Sequence, residues 1–276
     1  MRKLVKPAQY VALVAYIIFL GFPLLWLLSC SFKSSRELNS LTVSLLPTDG
    51  WHFQNYVDAL ERQHLLSSAA NSAGVALAST VLVILIAFPA AYVLARVRGA
   101  LRIIGTGWIL VSQVFPVILI IMPLFLVLRT IHLTDSLVGL TLVHTTYTLP
   151  FALWMLQGYV AGVPVDLEEA GAVDGASRFA VLRHVVLPLL APGIAATAMF
   201  SFVSSWNEFF FALVLLQSPS NYTLPIALAM FIGGEGKVSL GPLAAGSIMA
   251  AVPSIIFFTA MQRKLISGLM AGAVKG

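Results

Sequence analysis

Apolar residues dominate six stretches of the chain, and polar residues fall mainly in the segments between them. Each stretch has about 20 residues or more, enough for an α-helix to cross the hydrocarbon core of a bilayer, which is about 30 Å thick. The pattern therefore predicts an all-α integral membrane protein with six transmembrane helices, in which residues 1–276 form one transmembrane domain. The predicted spans are 10–31, 69–95, 103–128, 137–160, 191–216 and 240–261.

The segment between the fourth and fifth spans, residues 162–190, carries more signals of local structure than a simple linker needs. Pro164 suits the first turn of a helix, and Gly175 can adopt the left-handed backbone that ends one. Ser177 can cap a second helix, and Pro188 marks the exit toward the next span. Negative charge near the start of the first helix is stabilised by the helix dipole, by about 0.3 to 1 kcal/mol per residue. The acidic residues there are Asp166, Glu168 and Glu169. We expect a helix, a tight turn and a second helix.

Lys and Arg residues alternate between the two sides of the predicted spans, and eleven of the 16 lie on the side of the two termini. By the positive-inside rule, both termini and the segment 162–190 are predicted to be cytoplasmic. Topology therefore accounts for the net charge of +5, and no nucleic-acid partner is expected. With 59% hydrophobic and only 10% charged residues, the chain is predicted to be a multi-pass protein of the cell membrane that contacts lipid.

Few polar side chains fall inside the spans, and a charge there is a candidate for function because burial in lipid is costly. Glu208 and its neighbours Trp206 and Asn207 in the fifth span are candidates for residues that line a pathway through the membrane or help to shape its outer gate. The alternative is that Glu208 pairs with another helix. His144 in the fourth span could bind a substrate or pack against a helix, and Gln113 in the third span raises the same question. No second His or carboxylate lies at ligand spacing, so no metal site is predicted.

The chain itself is not predicted to be an ATPase or another enzyme. A phosphate-binding loop needs Gly, four residues, then Gly-Lys and a Ser or Thr. The run Gly-Gly-Glu-Gly-Lys-Val at 233–238 has neither this spacing nor the hydroxyl group. An intramembrane enzyme would need an acid–base or metal constellation, which the spans do not offer.

The segment 162–190 resembles the signature of the permease subunits of ATP-binding cassette importers: Glu-Ala-Ala, three residues, Gly, nine residues, then Ile, any residue, Leu-Pro. Glu169 and Ala170 begin the match and Gly175 has the right spacing. Val185, a conservative replacement, then precedes Leu187 and Pro188. Gly171 departs from the signature, where the family usually has Ala. The resemblance implies that this segment couples the permease to an ATPase. The implied coupling residues are Glu168, Glu169, Ala170, Gly171, Asp174, Gly175, Leu187 and Pro188.

The resemblance also implies partners. They are a dimer of ATPase subunits that binds ATP and Mg²⁺, a homologous second permease, and an extracytoplasmic substrate-binding protein or lipoprotein. This chain would hold no cofactor. The outside loop 217–239 would reach the binding protein, and the tail 267–276 would contact the ATPase pair. The length and the run Ser-Trp-Asn-Glu-Phe at 205–209 are similar to the smaller permease of maltose-type sugar importers. The implied function is import of a sugar or sugar derivative by alternating access.

Two alternatives stay open. The solute could be of the glycerol-phosphate or amino-sugar type, although spans with almost no Lys or Arg disfavour a strongly anionic substrate. An ion-coupled secondary carrier would work without an ATPase and would usually place paired ionisable groups near the bilayer midplane. Glu208 is the one clear charge that the spans offer for that role.

Overall fold

The structure is a computed structural model that describes residues 2–233 and 238–273, with side chains for residues 9–233 and 238–262. These described residues contain no β-strand, and one isolated antiparallel bridge joins Ile232 and Val238. The helices are α1 (Arg2–Ser31), α2 (Ser35–Leu38), α3 (Gln54–Arg62), α4 (Leu65–Arg96), α5 (Ala100–Val114), α6 (Val117–Thr130), α7 (Leu137–Ala161), α8 (Asp166–Val173), α9 (Arg178–Val181), α10 (Leu187–Leu189), α11 (Ala191–Trp206), α12 (Phe210–Leu215), α13 (Leu224–Ala229) and α14 (Leu240–Ala273). A π-helical segment, Leu182–Val186, separates α9 from α10, and a 3₁₀ turn covers Pro219–Asn221.

Four helices in the described part of the chain are long and apolar enough to cross a membrane. They are Gln9–Ser31, Leu65–Arg96, Leu137–Ala161 and Leu240–Gln262. The structure thus places a long helix at the first, second, fourth and sixth predicted spans. The number of candidate spans rises to six if each of two bent helix pairs is counted as one.

The third predicted span, 103–128, is not one continuous helix. Its two parts, α5 and α6, meet at an angle of 98°. The backbone of Phe115 is extended, with φ −68° and ψ 124°, and Pro116 follows it with ψ 129°. A residue before proline is pushed out of the helical region by the proline ring, which explains the break.

The fifth predicted span, 191–216, is interrupted as well. α11 ends at Trp206, and α12 begins at Phe210 after a short non-helical stretch. Glu208 lies in this break, where its carboxylate accepts hydrogen bonds from the backbone amides of Phe211 at 2.8 Å and Ala212 at 3.2 Å. The side chain therefore caps α12 and satisfies amides that have no partner within the helix. At its other end α11 follows the helical segment Arg178–Leu189 with a bend of 72°.

The chain divides into two compact units. The first comprises Met1–Ala69 and Ile226–Val252, and the second comprises Ala70–Pro225 and Pro253–Gly276. In the second unit, α4 and α7 pack through small and aliphatic side chains, a pattern that lets membrane helices approach closely. The fully buried residues of this contact are Val83, Ala87, Ala91, Ala152 and Leu156. That the whole chain works as one transmembrane domain stays a prediction.

Asp135 joins two loops of the second unit, the one before α7 and the one after α12. Its Oδ1 accepts hydrogen bonds from the backbone amides of Gln217 at 2.9 Å and Ser218 at 3.0 Å. The Ser218 hydroxyl donates to Oδ2, and the Asn221 side chain donates to the Asp135 carbonyl oxygen at 2.7 Å. The Ser218 hydrogen bond, helped by the backbone amides and opposed by partial burial, lowers the Asp135 pKa from 3.8 to about 2.

We predict that Asp135→Asn lowers the thermal midpoint of the protein in detergent by a few degrees. Asn tolerates the positive φ of 50° at this position, so the change removes the charge and leaves the backbone unstrained. A carboxyl group with a lowered folded-state pKa stabilises the fold above its ordinary pKa and loses that effect as the pH falls through the folded value. The difference between wild type and variant should therefore be constant above about pH 4 and shrink toward pH 2. A difference that does not change with pH would contradict this account.

Candidate functional site

α8 and the turn after it form where the local signals predict a helix and a turn. The helix begins at Asp166 after a turn in which the Leu167 amide donates to the Pro164 carbonyl at 3.3 Å. It ends at Val173, and the turn that follows contains Gly175, whose φ of 85° is in the left-handed region. The Gly175 amide donates to Ala172 at 3.1 Å and the Ala176 amide donates to Gly171 at 3.0 Å. This is the hydrogen-bond pattern of a Schellman motif, which glycine favours because it has no Cβ.

The second helical piece begins at Ser177, whose hydroxyl accepts a hydrogen bond from the Ala180 amide at 3.3 Å. The wider π turns lie directly before Pro188, and the Leu187 amide donates to the Leu182 carbonyl, five residues back. A proline inside an α-helix lacks the amide hydrogen and clashes with the carbonyl four residues earlier. A π segment at this point is a known way for a helix to absorb such a local irregularity.

Glu168 attaches α8 to the end of α4. Its Oε1 lies 2.5 Å from Nη2 and 2.9 Å from Nε of Arg96, and its Oε2 accepts a hydrogen bond from the Tyr92 hydroxyl at 2.6 Å. Arg96 Nη2 also donates to the Val163 carbonyl at 3.0 Å. The side chains of Arg96 and Glu168 are only 18% and 12% exposed. One guanidinium group therefore holds both the entry to α8 and its first turn.

Apolar packing lies beneath this ion pair. The buried residues are Val160, Val163, Val181, Val186 and Leu190, with Phe88, Tyr92 and Ala95 of α4 against them. Gly171 faces the same cluster, since a Cβ built on it would lie 3.1 Å from a methyl group of Val181. The family signature has Ala where this chain has Gly171. Here the β-branched side chain of Val181 lies against the space that the methyl group of an Ala would need.

The predicted coupling residues separate into two groups. Glu168 and Gly171 face the protein, whereas other residues of α8 and the turn after it are exposed. Glu169, Ala170, Val173, Asp174 and Gly175 form this exposed surface, which we call the α8 face. Val173 is 87% exposed, a large value for an apolar side chain. Leu187 and Pro188, later in the segment, are also exposed.

Beside α8 the structure has a cavity of about 680 Å³. It lies between the end of α4, α8 and the start of α9, and its charged lining residues are Arg96, Glu168, Glu169 and Arg178. Arg96 and Tyr92 were not predicted as site residues, because the sequence suggested for Arg96 only a role in topology. The pairing partner lies 72 residues away in the chain, so no local pattern could have found it.

His144 and Glu208 belong to a polar network within the spans of the second unit. His144 Nδ1 lies 2.6 Å from the Ser205 hydroxyl, and His144 Nε2 lies 3.2 Å from Glu208 Oε2. The Ser79 hydroxyl donates to the Ser205 hydroxyl at 3.2 Å. The network links α4, α7, α11 and the start of α12, and His144 is only 2% exposed. Each member has a protein partner, which lets polar groups persist among apolar helices.

Gln113 lies apart from this network, on a cavity of about 250 Å³. Tyr147 and Phe211 also line this cavity. The ring of Phe211 packs against His144 with centroids 6.4 Å apart, so the imidazole lies behind the cavity wall. The other two predicted pathway residues differ in solvent exposure, since Trp206 is buried and Asn207 is exposed. The structure therefore does not bring the five pathway candidates together on one surface.

Metal binding finds no support in the part of the chain that the structure describes. Among those residues, no group of three or more His, Cys, Asp or Glu side chains could hold a metal ion.

Comparison with known proteins shows similarity along most of the chain. A family model described as "Binding-protein-dependent transport system inner membrane component" matches residues 84–266. A putative ABC transporter permease protein of Streptomyces antibioticus is 55% identical over 80% of this chain and 96% of its own length. A diacetylchitobiose uptake system permease protein of Streptomyces coelicolor is 36% identical and covers 95% of both chains. A trehalose transport system permease protein of Mycobacterium tuberculosis is 34% identical and covers 92% of both.

The fold is also similar to a solved structure. A chain in the crystal structure of a bacterial ABC transporter involved in the import of the acidic polysaccharide alginate superposes with a TM-score of 0.79. The two chains are 24% identical, and the match covers 95% of this chain and 96% of the other. At this identity the likeness concerns the fold.

We predict that the Arg96–Glu168 pair is coupled energetically. Arg96→Met leaves the poorly exposed Glu168 carboxylate without its counter-charge, and Glu168→Gln leaves the Arg96 guanidinium without one. Each should therefore lower the free energy of unfolding by about 1.5–3 kcal/mol. The double variant should cost clearly less than the sum of the two. The measurement is denaturant unfolding in detergent, with Tyr92→Phe as a control that removes one hydrogen bond only. Additive effects of the two replacements would show that the pair contributes no coupling.

We also predict that the effect of Gly171→Ala depends on Val181. In the interior of a helix, Ala is favoured over Gly by about 1 kcal/mol. In α8, however, the Cβ added at position 171 would lie only 3.1 Å from a methyl group of Val181. In a Val181→Ala background the obstruction is gone, so Gly171→Ala should be more stabilising there than in the wild type. Thermal melting of the four proteins tests this, and an equal effect of Gly171→Ala in both backgrounds would refute it.

Proposed function

The chain belongs to the family of binding-protein-dependent transport system inner membrane components, and from this membership we propose its place in a transporter. It is the permease subunit of an ATP-driven importer, and its solute is a sugar or sugar derivative. Support for the solute class comes from relatives named for the transport of diacetylchitobiose, trehalose and trehalose/maltose, which are 32–36% identical to this chain. The chain carries solute by alternating access, and a separate pair of ATPase subunits, which binds ATP and Mg²⁺, supplies the energy.

The single observation that supports ATPase docking most strongly is the geometry of α8. A short helix exposes Glu169, Ala170 and Asp174 on one surface, while Glu168 on the same helix binds Arg96 of a long apolar helix. We propose that the α8 face, together with Leu187 and Pro188, meets the ATPase. Because the ion pair and the apolar cluster beneath it resist separation of α8 from α4, displacement of α8 would move α4. Closure of the ATPase pair would in this way move the membrane-spanning helix α4.

A second permease is proposed to pack against this one. The apolar span of α1 exposes large side chains along its length, including Tyr16 at 60%, Phe19 at 75% and Leu24 at 63%. Such a helix needs an apolar environment, which lipid and a second permease would provide together.

An extracytoplasmic binding protein or lipoprotein would deliver the solute to the outer side. We propose that it contacts the loop 217–239, whose first part is held by Asp135. Residues 234–237 of this loop lie outside the described residues. Both termini would be cytoplasmic. The tail 267–276, whose side chains also lie outside the described residues, would contact the ATPase pair.

The proposal names a class of solute and not an individual sugar. Relatives named for diacetylchitobiose make an amino-sugar derivative a reasonable member of the class. The cavity beside Gln113 is lined by Ser112, Thr146 and Tyr147 without a Lys or Arg, which favours an uncharged solute over one of the glycerol-phosphate type.

An ion-coupled carrier is the weaker alternative. The one intramembrane carboxylate that its mechanism could use, Glu208, already caps a helix and binds His144.

We predict that Glu169→Lys and Gly175→Pro abolish uptake without preventing membrane insertion. The first reverses the charge at position 169 and leaves Asp174 as the only carboxylate of the α8 face. The second forces φ to about −65° where the turn has 85°. Uptake of radiolabelled diacetylchitobiose and trehalose would be measured in cells that contain the complete importer. The amount of permease in the membrane fraction and the ATPase activity of the purified complex would be measured in parallel.

Glu61→Lys serves as the matched control, because it makes the same charge change at an exposed residue of α3 that is not part of the α8 face. It should leave uptake unchanged. Normal uptake with both Glu169→Lys and Gly175→Pro would refute the coupling role of the α8 face. Uptake in vesicles that hold an ion gradient but no ATP would instead favour the carrier.

A further inference from the structure

The loop after α2 exposes a series of apolar side chains that the transport function does not explain. Leu41 is 102% exposed, Val43 is 82% exposed and Leu46 is 67% exposed. Residues 38–48 contain no charged side chain. In water, such a concentration of exposed apolar residues would be unfavourable, and exposed apolar patches generally mark an interaction surface. We call residues 39–47 the apolar loop.

The apolar loop lies at the level of the outer end of α1. The Ser29 hydroxyl, in the last turn of that helix, donates to the Leu45 carbonyl at 2.5 Å. The ammonium group of Lys33 donates to the Ser44 carbonyl and lies 4.6 Å from the centre of the Trp26 ring. Both contacts join the loop to residues in or next to the apolar span Gln9–Ser31. The loop is thus folded back against the span and does not extend away from it.

Two of the charged residues near the apolar loop, Lys33 and Glu37, pair with each other within the protein. Arg36 is exposed on α2, and the Asp49 carboxylate accepts a hydrogen bond from the Ser34 hydroxyl at 3.0 Å. Lys33 and Glu37 are 3% and 9% exposed, and their charged atoms lie 3.9 Å apart. The Glu37 carboxylate accepts hydrogen bonds from the Ser44 hydroxyl at 2.7 Å and the Thr48 amide at 3.2 Å. Burial opposes ionisation of Glu37, but these hydrogen bonds outweigh it and lower the pKa. The buried Lys33–Glu37 pair therefore holds the loop in shape and is itself withdrawn from water.

An aromatic cluster follows the apolar loop. The ring of Phe32 packs against Trp51, Phe53 and Tyr56, each with centroids 5.3 Å apart. Trp51 and Phe53 remain 59% and 64% exposed, so each presents much of its ring outward. Trp and Tyr are enriched at the level of lipid headgroups, where one part of the ring is apolar and another is polar. The cluster is consistent with a position at the membrane surface.

From these contacts we infer that the apolar loop inserts into the outer leaflet of the membrane, with Leu41, Val43 and Leu46 in contact with phospholipid. Its occupant is lipid because the loop is bonded to the end of a membrane-spanning helix, at the depth where lipid surrounds that helix. Amphipathic helices that lie in a membrane surface bury their apolar face about 5–10 Å into the headgroup and acyl-chain boundary, and the apolar loop would need to reach a similar depth. The inference requires only that α1 spans the membrane and is independent of which solute is carried.

Fluorescent labels at single cysteines test the insertion. Cys30 is the only cysteine, so Cys30→Ser provides a background into which Val43→Cys, Leu46→Cys or Glu61→Cys is introduced. Each full-length chain is labelled with an environment-sensitive dye and reconstituted alone into phosphatidylcholine–phosphatidylglycerol vesicles. Quenching by a doxyl-labelled phospholipid is compared with quenching by acrylamide present on both sides of the membrane. Glu61, exposed and charged on α3, is the control site.

Labels at positions 43 and 46 should emit at shorter wavelength than the label at 61. They should lose more emission to the doxyl lipid and less to acrylamide. Acrylamide quenching at 43 and 46 equal to that at 61 would overturn the proposal. Protection of both sites from both quenchers would also overturn it, since protein and not lipid would then cover the loop. Neither result depends on transport, so a failure of the proposed importer function would remain distinguishable.

Discussion

Arg96 carries the contact on which the arrangement of the cytoplasmic segment depends. Its guanidinium group binds the carboxylate of Glu168 and the carbonyl of Val163, and these two acceptors lie on either side of the turn that starts α8. Both ionic groups are largely withdrawn from solvent. Removing one partner of such a pair is costly because the other charge is left uncompensated. The ion pair and the apolar cluster beneath it therefore define one position of α8 relative to the end of α4.

Neighbouring acidic residues of α8 consequently have different roles. Successive residues of an α-helix are rotated by about 100°, so Glu168 and Glu169 cannot both face α4. Glu168 is engaged within the chain, whereas Glu169 is exposed with Ala170 and Asp174. In the proposed importer, the carboxylate of Glu168 would transmit force to the span and that of Glu169 would meet the ATPase. Gly171 completes the inner side, because its missing side chain accommodates Val181.

Local structure was predictable from the sequence where short-range chemistry decides it. Pro164, Gly175 and Ser177 each have a strong backbone or capping preference, and the helix, turn and second helix lie where these residues predict. Apolar length predicted six spans, and four of them are long helices in the structure. The helix is interrupted within the third and fifth predicted spans, because hydropathy does not register the extended backbone before Pro116 or the capping of α12 by Glu208. Pairs that are distant in sequence, such as Arg96 with Glu168 and His144 with Glu208, have no signature in a single sequence.

The central claim is that α8 presents one face outward while the other stays bound to α4. The most direct measurement is a cryo-electron microscopy structure of the permease in complex with its ATPase subunits, with and without bound nucleotide. The account predicts that Glu169, Ala170 and Asp174 are covered by the ATPase, and that Arg96 stays bound to Glu168 in both states. A complex in which Glu168 leaves Arg96 to bind the ATPase, or in which the α8 face remains in solvent, would contradict it.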